Sequence, residues 1–195
     1  MKPIRQLLIA TVALLFLLAT DIQAQSFKIK TYSMHVSGTS TMHVWQSSVQ
    51  DLSATGSFVV ASNDLAEVKD VVVKIPVISI KSTKGKIMDN KTYEAFNHER
   101  NPLIVFAMKG QTVDPSNSTI DLKGTLTMAG KTLPIDLKVS YKLASNGDLR
   151  IIGCKQITMT DFGMEPPTAM MGAIKVGNDI SVTFEITLTN NNAIL

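Results

Sequence analysis

Residues 178–189 read NDISVTFEITLT. Ile180, Val182, Phe184, Ile186 and Leu188 fall on one side of an extended chain. Asp179, Ser181, Thr183, Glu185 and Thr187 fall on the other. Side chains alternate faces along a strand, so this is a strand with one apolar and one wet face. The same parity governs residues 132–143, TLPIDLKVSYKL, where Leu133, Ile135, Leu137, Val139, Tyr141 and Leu143 oppose Asp136, Lys138, Ser140 and Lys142. It governs residues 119–128, with Ile120, Leu122, Leu126 and Met128 together, and residues 71–80, where Val71, Val73, Ile75 and Val77 should face in. Pro76 lacks an amide hydrogen and predicts an edge or bulge there. Further strands fit 27–40, 50–61, 102–112, 148–158 and 174–178, the last running into 178–189.

The connections carry turn chemistry. Asn146-Gly147 suits a type I′ hairpin, and Ala129-Gly130-Lys131 and Asp114-Pro115-Ser116-Asn117 join other pairs. Sequential hairpins make an antiparallel meander. About eight such strands predict an all-β closed barrel or a sandwich, since closure removes exposed edges. One segment breaks the pattern: residues 88–102, MDNKTYEAFNHERNP, predict a single helix of two to three turns ended by Pro102.

The N-terminus is a separate matter. Lys2 and Arg5 precede thirteen apolar residues, 7–19, and Ile22-Gln23-Ala24 offers a cleavage site. This predicts a signal peptide over 1–24 and one domain over 25–195 in the periplasm or secreted. A membrane span would need about 20 apolar residues, so no integral membrane segment is expected in the mature chain. Gln25 follows the cleavage site, so no lipid-anchored cysteine begins it. Without 1–24 the chain holds 17 basic and 15 acidic residues, a net of +2, too little to argue for nucleic acid. Cys154 is alone and cannot form an internal disulfide.

Several stretches imitate catalytic motifs. Asp161-Phe162-Gly163 lacks every companion of the kinase set and predicts a strand-to-loop corner. Lys84-Gly85-Lys86 has Ile80 and Ile87 where a phosphate loop needs Gly and Ser or Thr. Gly38-Thr39-Ser40 has Met42 at the closing glycine of a nucleophile elbow. His35 and His43 would stand about 26 Å apart on a straight strand, and His98 lies near the helix. No metal or catalytic set is expected, and the chain is read as not an enzyme. An unrecognised hydrolase is the weakest alternative.

The segment Gly38-Thr39-Ser40-Thr41-Met42-His43-Val44-Trp45 resembles an early GTSTxHxW-type segment of the YceI-like family of exported polyisoprenoid-binding proteins. So do the helix leading to Asn101-Pro102-Leu103-Ile104-Val105-Phe106, the hairpin Gly124-Thr125-Leu126-Thr127 with Gly130-Lys131-Thr132, and the pair Asp161-Phe162-Gly163 and Ile174-Lys175-Val176-Gly177. Coverage runs from about 27 to 189, with departures at Val44 and Asn178. The resemblance implies an eight-stranded, lipocalin-like barrel that carries or stores a long-chain isoprenoid or fatty-type lipid, with no cofactor beyond that ligand. A homodimer is compatible with it.

The family offers no catalytic motif to transfer, so the lining follows from parity. It comprises Trp45, Val73, Ile75, Ile104, Phe106, Leu122, Leu126, Ile135, Leu137, Val139, Val182, Phe184 and Ile186. Trp45 is expected in the barrel wall or at its closed end, beside His43 as a hydrogen-bonding neighbour. Nine methionines in the mature chain suit an adaptable interior. The loop Met164–Gly172, with Met164, Met170 and Met171, is expected to border one mouth; a solvent-facing crossover is the alternative. The same inward residues could instead fill an ordinary core, which would leave a structural or interaction protein with no ligand.

Overall fold

The computed structural model describes residues 24–114 and 116–190. The expected signal peptide lies outside them, apart from Ala24. Among the described residues there are eleven strands: β1 Ala24–Ser40, β2 Val44–Val49, β3 Ser53–Ala61, β4 Asp64–Pro76, β5 Ile80–Ser82, β6 Leu103–Thr112, β7 Thr119–Met128, β8 Lys131–Leu143, β9 Leu149–Thr158, β10 Thr168–Ala169 and β11 Ile174–Asn190. Among the described residues there is one α-helix, α1, over Lys86–Phe96.

Eight strands close a ring in the order β1-β3-β4-β6-β7-β8-β9-β11, and β11 returns to β1. All pairings are antiparallel. The closing ladder is long, from Phe27 opposite Asn190 to Ser40 opposite Val176. β1 is flanked on its other edge by β3 at its start and by β2 further along. β5 adds to β2, and β10 to β11. The eight-stranded antiparallel barrel expected from the sequence is therefore present.

Several boundaries differ. The expected strand 50–61 is β3, which starts at Ser53, and β2, Val44–Val49, is a further strand that the expected set did not include. The expected strand 71–80 begins earlier, at Asp64, and stops at Pro76, where a short 3-10 turn, Val77–Ser79, leads to β5. Val77 is therefore buried in that turn and not on the strand. α1 ends at Phe96, six residues before Pro102, because Asn97 takes a left-handed conformation. Its N–H then reaches back to the Glu94 carbonyl and that of His98 to Tyr93, a helix stop that needs no proline.

Two ladders are incomplete, and side chains bridge them. β6 and β7 pair only at Val105–Ala107. Below that, the Gln111 amide donates to the Asp121 carbonyl at 2.6 Å and accepts from the Lys123 N–H at 3.3 Å, replacing backbone rungs. β8 and β9 pair only between Val139–Leu143 and Leu149–Gly153. Above that, the Lys155 ammonium donates to the Asp136 carbonyl at 2.8 Å.

The two ends of the barrel differ. At the end holding the 62–63, 113–118 and 144–148 turns the interior is packed shut. Phe27 and Phe58 stack with ring centroids 6.2 Å apart, against Leu65, Leu149 and Leu188, all essentially sealed from solvent. At the other end lie the 41–43 turn, α1 and the 159–173 connection. Residues of the same inward parity there, Val36, Val73, Phe106, Ile135, Leu137, Val182 and Phe184, are only half-buried. They border free space.

Candidate functional site: the barrel lumen and its mouth

That empty space is a cavity of about 500 Å³, inside the range of about 300–1,000 Å³ typical of small-molecule sites. All thirteen lining residues expected from parity border it. Strand alternation puts them there: β7 contributes Ile120, Leu122, Leu126 and Met128, β8 contributes Ile135, Leu137 and Val139, and β11 contributes Val182, Phe184 and Ile186. The wall is almost wholly aliphatic or aromatic, which suits a hydrocarbon and little else.

Two aromatic rings lie flat on the wall and do not cross the lumen. Phe184 faces Gly153 across β11 and β9, and a Cβ on Gly153 would come within 2.4 Å of the Phe184 ring. Phe106 sits over Gly124 in the same manner, 2.8 Å from a Cβ placed there. Glycine under each ring gives it room to lie back. This is why a barrel with two inward phenylalanines at mid-height still encloses free space.

Trp45 stands at the open end and not the closed one. It pairs with Gly38 across β1 and β2, and its Nε1 donates to the Thr39 carbonyl at 3.0 Å. The surrounding GTST segment is a structural knot. The Ser40 hydroxyl closes the turn by donating to the His43 carbonyl at 2.8 Å and accepting from the Met42 and His43 N–H groups. Thr39 lies against Gly177, and the Thr41 N–H donates to the Lys175 carbonyl at 3.0 Å. His43 lines the mouth as an exposed group whose carbonyl, not its ring, holds the turn.

The other end motif has the same character. Asp161-Phe162-Gly163 forms a 3-10 corner with Gly163 in the left-handed region. Asn178 pins it, donating from its amide to Thr160 Oγ1 at 2.8 Å and accepting from the Thr160 N–H.

α1 lies across the mouth and contributes Met88, Lys91, Thr92, Ala95 and Phe96 to the lining. Buried Asp89 accepts from the Ser82 N–H at 2.7 Å, and Tyr93 Oη donates to the Ile78 carbonyl at 2.9 Å. Lys81 donates to Tyr93 Oη at 2.5 Å. That hydrogen bond, ahead of the attraction of Asp89, raises the Lys81 pKa above the ordinary lysine value. Together these contacts fasten the helix to β5.

In the loop the methionines separate. Met164 is buried and lines the cavity; Pro167, Thr168 and Ala169 form the rim. Met170 and Met171 stand in solvent beyond it, 74% and 107% exposed.

Parity along β9 adds a residue that is absent from the expected lining. Leu149, Ile151, Gly153, Lys155 and Ile157 share the inner face, so Lys155 points inward. It is the one charged residue that the barrel strands contribute to the lining. Among the described residues the other ionisable lining groups are Lys84, Lys91 and His43, at the mouth, and none is a carboxylate. The three histidines lie apart: His35 bonds Ser33 and Ser48 on the outer wall, and His98 packs on Tyr93. Among the described residues no three His, Cys, Asp or Glu side chains are placed to hold a metal ion. No helix among them is long and apolar enough to cross a membrane.

Solved structures share this architecture. BcnA of Burkholderia cenocepacia superposes with a TM-score of 0.64 at 14% identity, over 80% of this chain and 95% of that one. A polyisoprenoid-binding domain from Saccharophagus degradans gives 0.64 at 12% identity, over 85% and 99%. The Campylobacter jejuni YCEI protein gives 0.58 at 24% identity, over 74% and 83%. At these identities the likeness is one of fold. No curated protein matches the chain in sequence. The YceI-like domain profile matches residues 18–188, nearly the whole chain, and the chain belongs to the YceI-like family.

Proposed function

We propose that this is an exported, non-catalytic carrier that holds one long-chain amphiphile, isoprenoid or fatty, inside the barrel. The observation that carries the reading is the contrast between the two ends. At one end the inward side chains, Phe27 and Phe58 among them, are sealed from solvent and close off the cavity that they border, while those from Ile135 to Phe184 stand half-buried around free space. A protein built only to fold would gain by filling that space, because interiors normally pack to crystal density. Burying a twenty-carbon chain there would release about 16 kcal/mol gross at about 0.8 kcal/mol per carbon. Ordering the chain removes much of it, and useful affinity is left without any covalent step. The polyisoprenoid-binding description of the Saccharophagus relative agrees in ligand class. Lys155 gives the lumen one place for an acceptor or anionic head group.

Trp45 is the only tryptophan and borders the lumen, so it reports occupancy. Titration with cis-parinaric acid, a conjugated fatty acid, should transfer excitation from Trp45 and saturate at one per chain. Geranylgeraniol should displace it. Absence of transfer at any concentration would end the carrier reading.

A further inference from the structure

An exported carrier must load and unload its amphiphile somewhere, and the mouth has the surface for it. Most of the large exposed apolar side chains gather at this end of the barrel. Met42 and Val44 flank the β1–β2 turn, Ile87 opens α1, and Met170 and Met171 cap the loop before β11; their exposures run from 69% to 107%. Three connections hold these segments on one rim. The β2–β5 ladder, ending at Ser47 opposite Ser82, carries Val44 and the start of α1 to the same height. Thr41 bonds the carbonyls of Ala173 and Lys175. β10 ties Ala169 to Ile174.

The segments that carry these apolar side chains hold lysines and no acids. Lys84, Lys86 and Lys175 are exposed there, and none makes an ion pair among the described residues. Residues 41–44, 83–88 and 168–175 contain no Asp or Glu. The acids at this end lie outside those segments: Asp161 and Glu165 precede the loop segment, Glu94 is paired with Lys91, and Asp89 is turned inward onto Ser82 and Lys81.

Apolar side chains standing in water beside unpaired lysines form the composition that binds at a lipid–water boundary. We propose that the rim docks on an anionic bilayer surface. Met170, Met171, Ile87 and Val44 enter the head-group region while the lysines meet lipid phosphates. Docked this way, the mouth faces the acyl chains and an amphiphile enters the lumen without crossing water. The proposal rests on the carrier reading for its purpose, not for its geometry.

The test is flotation of the purified protein with vesicles of phosphatidylcholine alone and of phosphatidylcholine mixed with phosphatidylglycerol. Binding should favour the anionic vesicles and fall as salt screens the lysines. Met170→Ser with Met171→Ser, and separately Lys84→Glu with Lys86→Glu, should each weaken it by about tenfold or more. All four side chains are exposed, so the fold is kept. In solution, parinaric acid uptake read through Trp45 should stay unchanged in the methionine variant. Equal binding to both vesicle types, no binding, or variants that bind like the parent overturns the proposal. So does light scattering that shows the rim buried against a second copy of the chain. Loss of parinaric uptake by the parent, with vesicle binding intact, would strike the carrier reading and leave the docking surface standing.

Discussion

Gly38 and Trp45 are directly opposed across β1 and β2, and the indole lies so close over the glycine that a Cβ there would sit 2.6 Å from Cζ2. The Gly38 backbone is not in the left-handed region, so the constraint is space alone. Gly38→Ala should lift the indole off the wall and break its bond to Thr39. The cost should be about 1–3 kcal/mol, as for other overpacked sites. A red-shifted Trp45 emission and a lower urea midpoint check it; an unchanged spectrum would mean that the ring has room to spare.

The glycine under Phe184 sets the free volume. Gly153→Val should push the ring across the lumen while leaving the ladder in place. Parinaric acid affinity should fall by about tenfold or more, equivalent to about 1.4 kcal/mol, with circular dichroism unchanged. Phe184→Ala in the same chain should restore uptake. Normal affinity in the single variant would show that this ring does not shape the site.

Parity in β8 makes a paired prediction. Leu137 borders the lumen, and Lys138, its neighbour, points to water. Leu137→Glu places a carboxylate against an apolar chain, where holding it charged costs several kcal/mol. Because the residue faces open space and not packed side chains, the variant should stay folded and lose its ligand. Lys138→Glu should change stability by no more than about 0.5 kcal/mol and keep binding. Circular dichroism and parinaric uptake on both variants decide it. An unfolded Leu137→Glu would point to a filled core.

Lys155 should favour ligands with an anionic end. Palmitate should bind more tightly than hexadecanol, and Lys155→Met should remove the preference while Lys155→Arg keeps it. Competition against parinaric acid measures each. An equal effect of Lys155→Met on acid and alcohol would make the lysine only a bridge to the Asp136 carbonyl.

Much of the barrel was legible because alternation is a strong signal. β7, β8 and β11 lie within a residue of their expected bounds, apart from the start of β11 at Ile174, where the expected strand 174–178 and the strand 178–189 are one. Elements held by particular side chains were harder to read. β2 follows a turn held by the Ser40 hydroxyl, and α1 ends on a left-handed Asn97; neither leaves a periodic trace. Lys155 was readable in principle, since Leu149, Ile151 and Ile157 fix its face. Whether the inward residues enclose space was not. Leu122 and Leu137 obey the same alternation and pair with each other across β7 and β8, yet Leu122 is buried and Leu137 half-buried. The difference depends on what stands across the lumen, and strand parity does not encode that.

The most direct test of the carrier is what the protein holds when isolated from cells that export it. Native mass spectrometry, followed by organic extraction and mass analysis of the extract, should find one long-chain isoprenoid or fatty amphiphile per chain. Leu137→Glu, still folded, should yield none. A parent protein that carries no lipid, and takes up neither parinaric acid nor geranylgeraniol afterwards, would contradict the account.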